Sequence, residues 1–161
     1  LSPEQVSFSL ISLTMPNIAP QKNRVAVATL GCKVNTFESE LIMQRLCEQD
    51  YERVAPSESA DIYIINSCTV TAEADRQSRQ LARKLKRQNP EATVIMTGCY
   101  AQNNADTVAA IDEIDWVIGN AAKLDLPEII VRQHQAVQPM SAPKLLMPQF
   151  DEMLAVPEDL L

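Results

Sequence analysis

Three of the four cysteines in this chain stand where the backbone leaves a β-strand. Cys32 follows the β-branched run Arg24-Val-Ala-Val-Ala-Thr-Leu30. Cys68 follows Asp61-Ile-Tyr-Ile-Ile-Asn66, and Cys99 follows Ala92-Thr-Val-Ile-Met-Thr97. Short apolar runs of this kind, closed by turn residues, read as buried strands. Adjacent strands lie about 4.8 Å apart, so three thiols at neighbouring strand ends converge across roughly 10 Å without being close in sequence. The only glycines, Gly31, Gly98 and Gly119, also close strands, and the first two directly precede a cysteine. Glycine relieves the steric limit where backbone turns sharply or meets a ligand. Converging thiolates suit a soft metal centre. A structural zinc ion usually takes a fourth protein ligand, and the single histidine, His134, lies past the last helix. A cubane iron–sulfur cluster, with three cysteine-bound irons and one open iron, suits the trio better. Three small residues buried at strand ends, or a disulfide within the trio, account for the same spacing and stay open here.

The elements that must position these residues alternate. Strands are expected at 24–30, 51–54, 61–66, 92–97 and 116–118, with helices over 35–50, 71–89, 105–114 and 123–133. Asn35 offers an N-cap for the first helix, with Glu38 completing a capping box. Pro90 stops the second helix, and Pro127 fits only the first turn of the last. Such alternation predicts a flavodoxin-like α/β three-layer sandwich: five parallel strands in the order 2-1-3-4-5, with helices on both faces. Ligands in such sheets bind beyond the carboxyl ends of the strands. Cys47 shares a helical arc with Ile42, Met43 and Leu46, which predicts a core position. Trp116 is expected in the core.

The chain has 161 residues, 46% of them hydrophobic and 22% charged, in the range of one folded domain. Its formal charge of −7 argues against strong, independent binding of nucleic acid by the whole surface. Four cysteines do not make a secreted disulfide framework, and a cytoplasmic setting is expected. No run of eighteen apolar residues is present. Residues 1–23 read as a disordered segment or extension, with Met15 offering an internal start. Residues 24–133 read as the domain. Residues 134–161 carry four prolines and read as a linker or tail.

Three motifs together carry a resemblance to a known family. Thr29-Leu-Gly-Cys-Lys-Val-Asn35 followed by Glu38-Ser-Glu40, then Asn66-Ser-Cys-Thr-Val70, then Gly98-Cys-Tyr-Ala-Gln102, resemble the cysteine motifs that open the methylthiotransferases. These are radical S-adenosylmethionine enzymes that insert a methylthio group at an unreactive carbon. The resemblance runs from about Arg24 to Gln133. It implies that Cys32, Cys68 and Cys99 bind an auxiliary 4Fe-4S cluster that carries or positions the sulfur. The Leu-Gly-Cys-Lys-Val-Asn form looks like the branch acting on threonylcarbamoyladenosine beside the tRNA anticodon. The family's Cys-x-x-x-Cys-x-x-Cys motif, for the second 4Fe-4S cluster that cleaves S-adenosylmethionine, is absent from this sequence. An RNA-binding domain is absent as well. The resemblance therefore implies an N-terminal domain of a longer tRNA-modifying enzyme, inactive alone, with the radical and RNA-binding domains as its partners.

Three further features invite a role. Asn35 and Asn66 flank the cysteine motifs and are candidates for hydrogen bonds to cluster sulfur or the incoming substrate, or else serve as a cap and a turn residue. Tyr100 is a candidate shield of the site, or a packed aromatic. Arg76, Arg79, Arg83, Lys86 and Arg87, with Lys84, line one side of the 71–89 helix. They suit contact with RNA phosphate or another domain, or form a solvated face with cations placed toward a helix C-terminus. The alternative to the cluster reading is a metal-free flavodoxin-like module that docks a protein or RNA partner. A thiol redox protein is disfavoured by the lack of a Cys-x-x-Cys pair.

Overall fold

Four β-branched runs in this chain are long enough to bury a strand, and each pairs in parallel with its neighbour in the computed structural model, which describes residues 22–68, 71–135 and 145–146. In chain order the elements are β1 (Arg24–Thr29), α1 (Lys33–Glu48), β2 (Glu52–Arg53), β3 (Ile62–Ser67), α2 (Ala72–Gln88), β4 (Thr93–Gly98), α3 (Cys99–Asn103), α4 (Ala105–Ala109), β5 (Trp116–Ile118), a 3-10 segment (Asn120–Asp125), α5 (Leu126–Gln135) and β6 (Leu145–Leu146). The sheet order is β2-β1-β3-β4-β5-β6, parallel throughout. The five expected strands thus fall in the expected order, and β6 extends the far edge by two residues. Residues 1–21 and most of 136–161 lie outside the described residues.

Strand β3 is buried along its whole length because the sheet is covered on both faces. Ile62 and Ile64 point into one core, with Ile42, Met43 and Leu46 of α1 and Leu126 and Ile130 of α5. Tyr63 and Ile65 point into the other, with Ala82 and Leu85 of α2, Tyr100 and Ala101 of α3 and Val108 of α4. The pleat alternates side chains between faces, so one strand feeds both cores. Trp116 is half-buried and packs against the α1–α5 core.

The helix ends differ from expectation in ways that matter for the site. Helix α1 starts at Lys33 with Cys32 at the N-cap, two residues before the expected start. Asn35 is not the cap: it lies inside the first turn, buried, and its side-chain amide donates to the Leu30 carbonyl at 3.1 Å. The C-terminus closes on Asp50, whose φ of 65° lets its own N–H reach Cys47 O and the next N–H reach Leu46 O. Cys47 is exposed, not core. The buried arc of α1 runs through Asn35, Ser39, Ile42, Met43 and Leu46, and Cys47 falls roughly 40° past Met43 at 100° per residue. Helix α2 follows its expected span: the Thr71 hydroxyl accepts from the Ala74 N–H at 3.2 Å and Asn89 caps the other end. The expected 105–114 helix ends at Ala109, and the five-residue α3 precedes it.

Tyr63 ties the strand entrances together. Its hydroxyl donates to Glu58 O at 2.7 Å and accepts from the Ala60 N–H at 3.0 Å and the Gln88 side-chain amide at 3.1 Å. Tyr63→Phe removes that hydroxyl and strands the Ala60 donor in a buried position. The expected loss is about 1–2 kcal/mol of unfolding free energy by urea titration, with the far-ultraviolet spectrum unchanged.

Candidate functional site

Parallel register decides where the cysteines fall. Thr29 is level with Asn66, Asn66 with Thr97, and Ser67 with Gly98. Cys68 and Cys99 are therefore the next residues on two adjacent strands, one lattice step apart. The turn carrying Cys32 leans on the same rim. The Leu30 N–H donates to Asn66 O at 2.9 Å. A Cβ built on Gly31 would overlap the Cys68 Cβ and stand 3.2 Å from its Sγ. Gly31 has φ 121°, a conformation open to glycine, and so does Gly98 at φ 100°, where a Cβ would strike the Ser67 backbone. These two glycines let three chain segments close up behind the thiols.

Each thiol has its own setting. Cys32 is exposed at the N-cap of a 16-residue helix. The backbone N–H groups of Asn35 and Val34 hold its thiol below the usual range, against a smaller opposing effect from the Glu38 carboxylate. Cys68 and Cys99 are half-buried. Asn120, the first residue of the 3-10 segment after β5, points its side-chain amide at the Cys99 Sγ across 4.0 Å, while its backbone N–H donates to Gln102 Oε1 at 3.0 Å. Asn120 and Gln102 were not singled out from the sequence; the signals available were the strand-ending Gly119 before Asn120 and the place of Gln102 at the end of the third motif. Among the described residues no disulfide links the cysteines. Nor do three His, Cys, Asp or Glu side chains among them close on a single metal ion. A cubane makes a different demand, because each cysteine binds a separate iron. Three soft sulfur donors on one rim, backed by Cβ-free turns, fit that chemistry better than a chelated hard cation.

Beneath the rim, on the α1 side, lies a layer of buried polar residues: Asn35, Ser39, Asn66, Thr97 and Lys123. Both side-chain N–H contacts of Asn66 go inward, to Asn35 O and Ser39 Oγ, each at 3.0 Å. Its carbonyl Oδ1 is left buried without a partner, as is Thr97 Oγ1. With both N–H groups engaged inward, Asn66 has no side-chain donor left for cluster sulfur. Its evident work is to pin α1 to β3. Asn35 similarly holds the Leu30–Cys32 turn. Tyr100 is buried in the α2-side core, with its hydroxyl accepting from Arg79 at 2.9 Å and the guanidinium 6.0 Å from its ring centre. It packs behind α3 rather than over the thiols. Thr69 and Val70 of the second motif lie outside the described residues.

The α2 cations are largely engaged. Arg76 pairs with Glu73 through two nitrogens, Arg83 approaches Glu113 at 3.7 Å, and Lys86 binds Asp115 at 2.8 Å and Ala92 O at 2.7 Å. Arg87 donates to Arg83 O at 3.2 Å. Lys84 and Arg87 have no carboxylate partner among the described residues. The stripe is less of a free positive surface than its composition suggests.

A doubly wound, all-parallel sheet with its reactive side chains at the carboxyl rim defines a flavodoxin-like α/β domain. The receiver domain of a CheY-like response regulator from Methanospirillum hungatei has this fold, with a TM-score of 0.51 and 16% identity over 70% of this chain and 94% of that one. The chain belongs to the uncharacterized protein family UPF0004, whose sequence profile matches residues 24–119. It is similar to the threonylcarbamoyladenosine tRNA methylthiotransferase of Aquifex aeolicus, 45% identical over 107 residues, covering 66% of this chain and 26% of that protein. The enzyme of the same name from Bacillus subtilis is 41% identical over 123 residues, covering 76% and 27% respectively. The chain spans about a quarter of the length of these curated relatives.

Two outcomes follow from this geometry. In the metal-free chain near neutral pH, iodoacetamide modifies Cys32 ahead of the exposed Cys47, measured by peptide mapping; equal rates would contradict the activating role of the helix N-terminus. Gly98→Ala lowers unfolding free energy by about 3 kcal/mol in urea titration.

Proposed function

We propose that this chain is the N-terminal domain of a tRNA methylthiotransferase acting on threonylcarbamoyladenosine, and that Cys32, Cys68 and Cys99 hold an auxiliary 4Fe-4S cluster in it. The observation that supports this most directly is three cysteines at consecutive strand ends, in a chain 45% identical to an enzyme of that name. When bound, such a cluster supplies an open iron able to take an exogenous sulfur ligand. The chain's own residues do the rest. The first-turn amides of α1 keep Cys32 disposed to ionise, as a metal ligand must be. Gly31 and Gly98 remove the Cβ atoms that would hold the segments apart. Asn120 aims an N–H at the Cys99 sulfur, the kind of donor that tunes a metal-bound thiolate. Asn35 and Asn66 set the height of α1 against β3, and Tyr100 anchors α3 from behind.

In this reading S-adenosylmethionine and the second cluster belong to the remainder of the full-length enzyme. The outward side of α2, where Arg76, Arg79, Arg83, Lys86 and Arg87 lie with Lys84, is a secondary contact with tRNA phosphate or the neighbouring domain. A cytoplasmic location follows from the tRNA substrate, and no described helix is long and apolar enough to cross a membrane.

Anaerobic reconstitution with iron and sulfide tests the cluster. The expected result is a broad visible absorption and about four irons per chain, both lost on Cys32→Ala, Cys68→Ala or Cys99→Ala and kept on Cys47→Ala. A chain that stays colourless and iron-free favours the metal-free docking module instead. Mass spectrometry of tRNA from cells carrying the same alanine variants in the full-length enzyme tests the substrate: the threonylcarbamoyladenosine should persist without its methylthio group.

A further inference from the structure

Lys123 is the one buried cation among the described residues, 3% exposed, and its ammonium lies 2.7 Å from Glu38 Oε2. In the other ion pairs of the described residues no cation is buried so far, the nearest case being Lys86 with Asp115, whose lysine is 24% exposed. Taking a lysine out of water costs several kcal/mol, and its attraction to one carboxylate roughly offsets that cost. Replacing a buried pair by apolar residues of similar volume is often neutral or stabilising. The pair is thus weak evidence of a stability role, and its position points to another.

Lys123 belongs to the 3-10 segment after β5, and Glu38 to α1, 85 residues earlier. These are the two walls of the cysteine rim. Helix α1 is capped by Cys32 and carries Asn35. The 3-10 segment carries Asn120, whose amides reach Cys99 and Gln102. A second tie runs parallel to the first: Arg45 of α1 donates to Leu124 O at 2.8 Å. Between the walls lie Asn66 and Thr97, each with a buried polar atom lacking a partner; the hydrogen bonds that Asn66 does make tie α1 to β3, not to the 3-10 segment. We infer that the Lys123–Glu38 pair is the brace that sets the separation of the two walls, and that Lys123 is a positioning residue for the three thiols. The inference rests on the reading that the trio acts together, but it concerns the protein frame and not the iron.

The test uses the metal-free chain in a Cys47→Ala background, with dibromobimane, a short reagent that bridges only thiols already close together. Lys123→Arg keeps the charge and the donor. Lys123→Met keeps the bulk alone. Glu38→Gln with Lys123→Met removes both charges. The expected result is efficient bridging between Cys99 and its neighbours in the parent and in Lys123→Arg. Lys123→Met and the double variant should bridge about fivefold more slowly, the loss of effective concentration that a loosened wall implies. The thermal midpoint of the double variant should stay near the parent's, because it buries no unpaired charge. Parent-like bridging in both methionine variants overturns the inference, and so does a parent chain in which no pair of the trio is bridged. A parent that is bridged yet takes up no iron rejects the cluster and leaves the brace standing.

Discussion

Every strand of this sheet runs the same way, and the rest of the molecule depends on that. Parallel pairing forces each connection to cross over the sheet, so every strand-to-helix turn falls on one rim. Residues placed just after a strand become neighbours even when dozens of positions separate them. Cys68 and Cys99 are 31 residues apart and one strand step apart, because Ser67 and Gly98 are level. The scarcity of glycine serves the same rim: the two glycines with positive φ stand directly before Cys32 and Cys99.

The rim is supported by polar residues where a sheet of this kind could have been wholly apolar. Two separate cores, one under α1 and α5 and one under α2, α3 and α4, account for the cohesion of the domain. The layer of Asn35, Ser39, Asn66, Thr97 and Lys123 adds little to that cohesion, since each buried polar group must recover in hydrogen bonds what it loses in hydration. Such a layer fixes geometry. Its members hold α1 at one height on β3 and the 3-10 segment at one distance from α1, so the frame around the thiols is more exacting than the fold around the frame.

Fold and function separate cleanly here. The response-regulator receiver domain from Methanospirillum hungatei shares the chain trace at 16% identity, which speaks to the doubly wound architecture alone. What sets this chain apart is the kind of side chain at the carboxyl rim. Three thiols stand there, and Gly98 has a φ open to glycine at a point where a Cβ would strike the Ser67 backbone.

Much of this was legible in the residues alone. Strand existence, parallel order and the sharing of one rim by three cysteines follow from local β-branched runs and the right-handed crossover rule, which leave few topologies to choose from. Local chemistry also marked Pro90 as the stop of α2. Periodicity misplaced what depends on neighbours. Cys47 sits on the flank of the apolar arc, and only the packing of α5 and β3 shows how narrow that arc is. Asn35 has the character of a cap, but its amide is drawn inward by the Leu30 carbonyl, which leaves the cap to Cys32. Asn66 and Tyr100 kept their places beside the cysteines in sequence while their side chains turned to other partners. The α2 cations look free in a helical projection and are mostly claimed by Glu73, Glu113, Asp115 and Tyr100 in space. Lys123 gave no signal at all, because a lysine is ordinarily a surface residue and its partner lies 85 positions away. Composition and period thus determined which segments meet at the rim. Tertiary contact decided which side chains face it, since a side chain's direction depends on partners that the neighbouring sequence does not contain.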